Sequence, residues 1–186
     1  MIRPLPVLLD PPRTAMHIRR LMFLRGPNIW SRNPVMEAWI DLGELRELSS
    51  ELIPGFTSRL MKLLPSLIEH RCSVGERGGF LQRLERGTYM AHVMEHVTLE
   101  LQTLSGTQVG FGRAREMTED GVYKVAIRYQ EENTAYECLL AARELVLACI
   151  DERPVDIAAE LQRLREIADT KCLGPSSMSI VNAALA

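Results

Sequence analysis

Residues 88–104, TYMAHVMEHVTLELQTL, predict the most regular helix of the chain. Gly106 follows this segment and is typical of the residue that ends a helix. Its apolar residues recur at helical spacing and form one stripe: Met90, Val93, Met94, Val97, Leu101 and Leu104. A stripe of this kind has to be covered by a sheet or by other helices, so Val97 and Leu101 are expected to be buried.

The same helix carries two of the four histidines of the chain, within His92-Val93-Met94-Glu95-His96. This is the H-x-x-E-H pattern of inverted zinc hydrolases. On a helix His92 and His96 lie one turn and ~40° apart, which allows both to bind one metal ion. Glu95 lies beside them, where a carboxylate can take a proton from a metal-bound water. The pair lies roughly 130° from the centre of the apolar stripe, so the histidines are expected to face a cleft. Two solvated surface histidines are the alternative.

A hydrolase site with a single zinc ion needs a third protein ligand. Glu100 follows His92 by two turns, ~12 Å along the helix axis, which is too far for both to reach one ion. Glu116, twenty residues beyond His96, is the better candidate. The alternative for Glu116 is a carboxylate that faces solvent at the end of a strand.

Three arginines are candidates for binding substrate carboxylates. Arg113 and Arg115 lie two residues apart on a predicted strand and therefore point to one face, and Arg25 follows the first predicted strand. A guanidinium group binds a carboxylate with two parallel hydrogen bonds, although most surface arginines are only solvated. Gly110-Phe111-Gly112 lacks the third glycine of a dinucleotide fingerprint and no phosphate loop occurs, so no nucleotide cofactor is predicted.

The segments around this helix predict two hairpins separated by helices. Residues 16–24 and 36–42 alternate as strands do, with Met16, Ile18, Met22 and Leu24 on one side of the first strand. Residues 109–115 and 122–129 form the second pair, joined at Asp120-Gly121. Helices are predicted from Pro54, with a kink at Pro65, from a Thr134–Glu137 capping box, and from Pro154 to Ile167. The predicted fold class is α+β, an antiparallel sheet built from two hairpins with helices packed on one face.

Composition excludes several classes of protein. The 186 residues carry 22 Lys+Arg and 24 Asp+Glu, a formal charge of −2, which argues against a globally basic nucleic-acid binder. No apolar run approaches the ~20 residues that cross a bilayer, and the proline-broken start is a poor signal peptide, so a cytoplasmic protein without a membrane partner is expected. The four cysteines fit neither a disulfide framework nor a C-x-x-C metal pair and are expected to be reduced and buried.

Several blocks together resemble the N-terminal domain of the cyanophycin synthetase family. They are residues 24–31 (LRGPNIWS), 53–56 (IPGF), 64–67 (LPSL), 78–81 (GGFL), the helix from Gly87 to Gln102 with its H-x-x-E-H motif, 109–113 (VGFGR) and 115–116 (RE). The similarity covers about residues 16–186 in the same order. Residues 1–15, with four prolines, form an irregular arm outside it, 16–170 the domain, and 171–186 a linker and the truncated start of the next module.

The resemblance implies a role in handling cyanophycin, a poly-aspartate chain that bears arginine side groups. The family joins aspartate and arginine with ATP-grasp and Mur-ligase-like modules, which this chain lacks. In some members the N-terminal domain also resembles a metallopeptidase that cuts the polymer into primers. The leading hypothesis is therefore a polymer-binding domain with a zinc-dependent amidohydrolase site.

Two alternatives stay open at this point. One is a non-catalytic domain that anchors the polymer and supports the ligase modules, and the other is a stand-alone metallopeptidase that acts on ordinary peptides. The sequence leaves open whether the chain forms a homo-oligomer.

Overall fold

The structure, a computed structural model, describes residues 15–171. The predicted arm before residue 15 and the predicted linker after residue 171 lie outside the described residues. The strands are β1 (His17–Leu24), β2 (Val35–Asp41), β3 (Gly112–Glu116) and β4 (Val122–Arg128). The α-helices are α1 (Phe56–Leu63), α2 (Gly79–Arg86), α3 (Met90–Leu104), α4 (Glu132–Ile150) and α5 (Ile157–Lys171). Short 3-10 turns at Pro65–Glu69 and Cys72–Val74 connect α1 to α2.

The four strands form one antiparallel sheet in the order β1-β2-β4-β3. Two hairpins, β1–β2 and β3–β4, meet where β2 pairs with β4. Helix α3 packs on β3 and β4, and α4 packs on α3. The predicted α+β class with two hairpins is confirmed. Val97 and Leu101 are fully buried as expected.

A bulge in β1 makes the prediction for the second half of that strand wrong. The pairing with β2 shifts between Ile18 and Arg20, so one extra residue enters β1 at that point. Because side chains alternate along a strand, an extra residue reverses which face they occupy. Leu21 and Phe23, rather than Met22 and Leu24, therefore join Ile18 against the core.

The helix ends also differ from the prediction. Pro65 ends α1 and starts a 3-10 turn instead of kinking one long helix, because proline has no N–H to donate. No helix was predicted for the segment that forms α2. Glu131 caps α4 by accepting hydrogen bonds from the backbone N–H groups of Asn133 and Thr134, so the predicted capping box at Thr134–Glu137 is wrong. The Glu137 carboxylate instead accepts a hydrogen bond from Arg163.

Two further expectations concern thiols and membranes. Cys138 and Cys149 are free and buried on α4, as predicted, whereas Cys72 is only half-buried and Cys172 lies outside the described residues. Within residues 15–171, no helix combines the length and the apolar character needed to cross a bilayer.

Truncation of Leu101 tests the central position of α3. Leu101 is fully buried, so Leu101→Ala leaves a cavity and is expected to lower the free energy of unfolding by about 3 kcal/mol. Leu104, on the same stripe but half-buried, is the matched control, and Leu104→Ala should cost about half as much or less. Urea unfolding of both variants measures the difference. Equal losses would contradict the position given to α3.

Candidate metal centre

The two histidines of α3 pack against α2. The Phe80 ring of α2 stacks on the His96 imidazole with ring centroids 4.0 Å apart, and it meets His92 edge-on at 5.9 Å. His96 is therefore buried although it lies off the apolar stripe, while His92 is half-buried. Both line a cleft, as the helical spacing predicts.

Cys72 joins the two histidines. It lies in the 3-10 turn before α2, and its Sγ is 3.4 Å from Nε2 of His92. One ligand atom from each of Cys72, His92 and His96 can be chosen so that all three lie within 4.8 Å of one another. No other group of three such residues is found in the part of the chain that the structure describes. His92 and His96 follow Cys72 by 20 and 24 residues in sequence, and the fold brings the thiol and the two imidazoles together.

A chain of hydrogen bonds sets the tautomer of His96. The Glu100 carboxylate accepts hydrogen bonds from the Ser66 hydroxyl and from Nε2–H of His70, 2.7 Å away. A neutral His70 then has only a lone pair at Nδ1, which lies 2.8 Å from Nδ1 of His96. The His96 proton therefore occupies Nδ1 and is donated to His70. This leaves the lone pair of His96 on Nε2, free to bind a metal ion.

Thr88 has the same role for His92. Its Oγ1 lies 2.8 Å from Nδ1 of His92 and can accept a proton from that nitrogen, which places the lone pair of His92 on Nε2, the atom nearest Cys72. Sulfur and nitrogen ligands of a tetrahedral zinc ion stand ~3.5 Å apart, given bonds of ~2.3 and ~2.0 Å. The observed 3.4 Å between Cys72 and His92 fits that spacing. Three ligands of this kind with one open position suit a catalytic zinc ion.

Burial keeps both histidines neutral, the state that metal binding requires. It lowers the pKa of His92 to about 4, with a smaller contribution from the positive charge of Arg83. It lowers the pKa of His96 to about 2, with smaller contributions from His92 and His70. Burial alone would raise the pKa of Glu100, but the hydrogen bonds from His70 and Ser66 outweigh it and hold that pKa below its usual value.

Glu95 lies in the same cleft, against the edge of β3. Burial raises the pKa of its carboxyl to about 8, opposed by a hydrogen bond from the Ala114 amide and by the charge of Arg113. Gly112 makes room for it: a Cβ at that position would come within 2.5 Å of the Glu95 carboxylate and 2.8 Å of Leu99. A larger residue on β3 would therefore displace the acid.

The cleft has a volume of about 800 Å³ and runs between two walls. One wall is the edge of β3, and the other is the segment from Glu69 to Ser73. Arg71, Arg83 and Arg113 line it, whereas the carboxylate of Glu69 is paired with Arg77 at 2.7 Å. The surroundings of the cluster are therefore cationic.

The structure separates the other predicted site residues. Arg113 and Arg115 lie two residues apart on β3 and share the face of the sheet turned away from α3. Arg113 is still among the residues that line the cleft, whereas Arg115 lies over the Trp30 ring, 5.8 Å from its centroid. Arg25 forms an ion pair of 2.5 Å with Glu132 and is not among the residues that line the cleft. Glu116 is exposed, interacts with the Tyr123 hydroxyl and is not part of the Cys72 group.

Cys72 and His70 were not predicted to belong to the site. They lie two residues apart in His70-Arg71-Cys72, a segment without periodicity, so no pattern ties them to α3. The only available signal was residue type. Histidine and cysteine both bind zinc, and His70, one of only two histidines outside the motif, lies two residues before Cys72.

A family model and several curated proteins point to the same family. Residues 37–151 match the cyanophycin synthase-like N-terminal domain. Cyanophycin synthetases of Synechocystis sp. and Geminocystis herdmanii are each 42% identical to this chain over 174 residues, and that of Crocosphaera subtropica is 41% identical. These alignments cover 91% of this chain and 20% of each relative. The chain spans about a fifth of the length of the curated relatives it matches.

The low pKa of His92 predicts how the metal-free protein responds to acid. The unfolded chain binds a proton at this residue below pH ~6.5, whereas the folded chain does so only near the lowered value of about 4. Stability is therefore lost as the pH falls from 6.5 towards 4, by about 2 kcal/mol at pH 5. His92→Gln removes this loss, so urea unfolding of chelator-treated protein should show a smaller drop from pH 7 to pH 5 in the variant. Parallel drops would contradict the buried, neutral state of His92.

Proposed function

The chain belongs to the cyanophycin synthase-like N-terminal domain family, and we propose that it is a metal-dependent amide hydrolase acting on the aspartate and arginine polymer of that family. One observation carries the proposal: Cys72, His92 and His96 converge in a cationic cleft that also contains Glu95. A site built only to anchor a polymer has no need of a thiol, two metal-ready imidazoles and a buried acid in one place.

Cys72, His92 and His96 would hold the metal, and their soft and borderline donors favour zinc. When bound, zinc polarises an amide carbonyl and lowers the pKa of water. Thr88 and His70 orient the two imidazoles, and Glu100 fixes His70 in turn. In this assignment Cys72 replaces Glu116 as the third ligand.

Glu95 is the general base. Its carboxylate would take the proton from the water that attacks the amide carbon and then pass that proton to the nitrogen that leaves as an amine. Burial in the cleft favours the neutral acid, and a nearby cation favours the carboxylate, so metal binding would prepare Glu95 to accept a proton. The Ala114 amide holds the carboxylate in position.

The cations around the cleft would bind the substrate. Arg113 keeps the role that the sequence suggested, and Arg71 and Arg83 join it from the opposite wall. The family resemblance implies a polymer whose arginine side groups end in carboxylates, and guanidinium groups suit these ligands. We propose that the ATP-grasp and Mur-ligase-like modules, which the same resemblance implies, use the products as primers.

Replacing residues one at a time separates their roles. Glu95→Gln keeps the size of the side chain and removes the base, so hydrolysis of cyanophycin with added zinc should fall by roughly 10²–10⁴ while zinc content is unchanged. Cys72→Ser and His96→Ala should lose zinc and hydrolysis together, because each removes a ligand. Zinc content is measured on purified protein, and hydrolysis by mass analysis of soluble products.

Glu116→Ala is the matched control for the ligand assignment, and it should retain zinc. Full hydrolysis by Glu95→Gln would show that the hydrolase assignment is wrong. Cleavage of ordinary peptides as fast as cyanophycin would instead favour a general metallopeptidase.

A second candidate function, anchoring of the polymer, is favoured by the outer face of the sheet, the face turned away from α3. Arg20, Trp39, Lys124 and Arg115 are neighbours in one row across the four strands. Arg20 and Lys124 lie 5.2 and 5.1 Å from the centroid of the Trp39 ring.

Two acidic side chains of β2, Asp41 and Glu37, lie next to this row on either side of Trp39. Asp41 is paired with Arg19, and both oxygens of Glu37 accept hydrogen bonds. Glu37 is 3% exposed and accepts these hydrogen bonds from the indole N–H groups of Trp30 and Trp39 at 2.6 and 2.9 Å. Glu37 forms no ion pair with the cations of the row among the described residues, and a chain that bears carboxylates could bind them.

Removing the row tests the anchoring function. A variant with Arg20, Lys124 and Arg115 all changed to Ala should sediment less with insoluble cyanophycin, by roughly tenfold in affinity, and salt should weaken the wild type in the same way. A variant with Arg153, Arg163 and Arg165 changed to Ala loses the same charge elsewhere and should sediment like the wild type. Equal behaviour of the two variants would count against the outer face as an anchor.

A further inference from the structure

Strand β3 is an edge strand, and its free edge opens into the cleft. The sheet order places β3 next to β4 alone. Five residues in extended conformation give an edge of ~17 Å. Gly110, Gly112 and Ala114 line the cleft together with Glu95 and the two histidines of α3.

Hydrogen bonds at the two ends of the β3–β4 pair fix which backbone groups face the cleft. Arg128 N–H donates to the carbonyl of Phe111, and Met117 N–H donates to the carbonyl of Val122. In an antiparallel pair only alternate residues exchange such bonds, so Arg113 and Arg115 bond to β4. The N–H and C=O groups of Gly112, Ala114 and Glu116 therefore point outward from the sheet.

The Glu95 carboxylate confirms this direction at one point. It accepts a hydrogen bond from the Ala114 amide, which has to point away from β4 for that contact. Five groups are left over: the carbonyls of Gly112, Ala114 and Glu116 and the N–H groups of Gly112 and Glu116. None of these five groups bonds to another element among residues 15–171.

The far wall limits what can pair with this edge. The segment from Glu69 to Ser73 lines the same cleft as β3, so a chain that pairs with this edge has to lie between the two. Arg71, Arg83 and Arg113 line that space, so the chain that fits best presents carboxylate groups to them.

We propose that the outward edge of β3, at Gly112, Ala114 and Glu116, binds the main chain of a carboxylate-bearing substrate as an added strand. The proposal rests on the function above for the identity of that chain. Main-chain pairing supplies affinity without reading side groups, and it holds a main-chain amide beside Glu95 and the Cys72 cluster. Side groups would alternate between the floor of the cleft and its mouth.

Methylated oligomers test this pairing. The probe is a short synthetic oligomer with a poly-aspartate main chain and arginine on each side carboxylate. Two derivatives carry the same number of methyl groups on main-chain nitrogens. One is methylated at every second nitrogen, which leaves one edge of the extended chain intact, and the other is methylated at consecutive nitrogens in its middle, which blocks both edges.

Binding is measured by calorimetry on the chelator-treated chain, where no hydrolysis interferes. The alternately methylated oligomer should bind within about threefold of the unmodified one. The consecutively methylated oligomer should bind at least roughly tenfold more weakly, because two or more hydrogen bonds are lost. Equal affinity of the two derivatives, or no binding of the unmodified oligomer, would overturn the proposal.

Hydrolysis of the unmodified oligomer by the zinc-loaded chain is measured in parallel. If binding distinguishes the two derivatives but no cleavage occurs, the added strand stands and the hydrolase assignment fails. If cleavage occurs but the derivatives bind equally, the hydrolase assignment stands and the added strand fails.

Discussion

The constraint on which this structure depends is the burial of charged and polar side chains on α3. Glu95, His96 and Glu100 are each less than a tenth exposed, and a buried group of this kind is costly unless it has a partner. The partners come from segments that fold around the helix: His70 and Ser66 from the turn after α1, and the Ala114 amide from β3. The same contacts that satisfy α3 also build the walls of the cleft.

Much of the fold was predictable because it depends on local patterns. The spacing of apolar residues located α3 nearly to its ends, and alternation located the hairpins. The bulge in β1 was not predictable, since an extra residue leaves no mark in an alternating sequence until its partner strand is known. The H-x-x-E-H motif gave His92, Glu95 and His96, which one helix brings together. Cys72 depends on how α2 folds back over α3, a tertiary contact that no spacing encodes.

In the proposed function the two faces of the sheet would make separate interactions with one polymer. Residues of β3 alternate between the cleft and the outer face, so Gly112 leaves room for Glu95 while Arg115 lies over Trp30. A short strand thus contributes to the proposed hydrolytic site, to the proposed docking edge and to the proposed anchoring surface. This arrangement would let one surface hold a polymer while the cleft on the other side acts on a chain end or loop.

The central claim is that one thiolate and two imidazoles bind zinc. X-ray absorption at the zinc edge of the zinc-loaded chain tests it most directly, because the sulfur and nitrogen distances differ clearly. The account predicts one sulfur neighbour at ~2.3 Å and the remaining nitrogen or oxygen neighbours at ~2.0 Å. In Cys72→Ser the sulfur neighbour should disappear. A spectrum of the wild type with only nitrogen and oxygen neighbours would contradict the role of Cys72 and, with it, the metal centre described above.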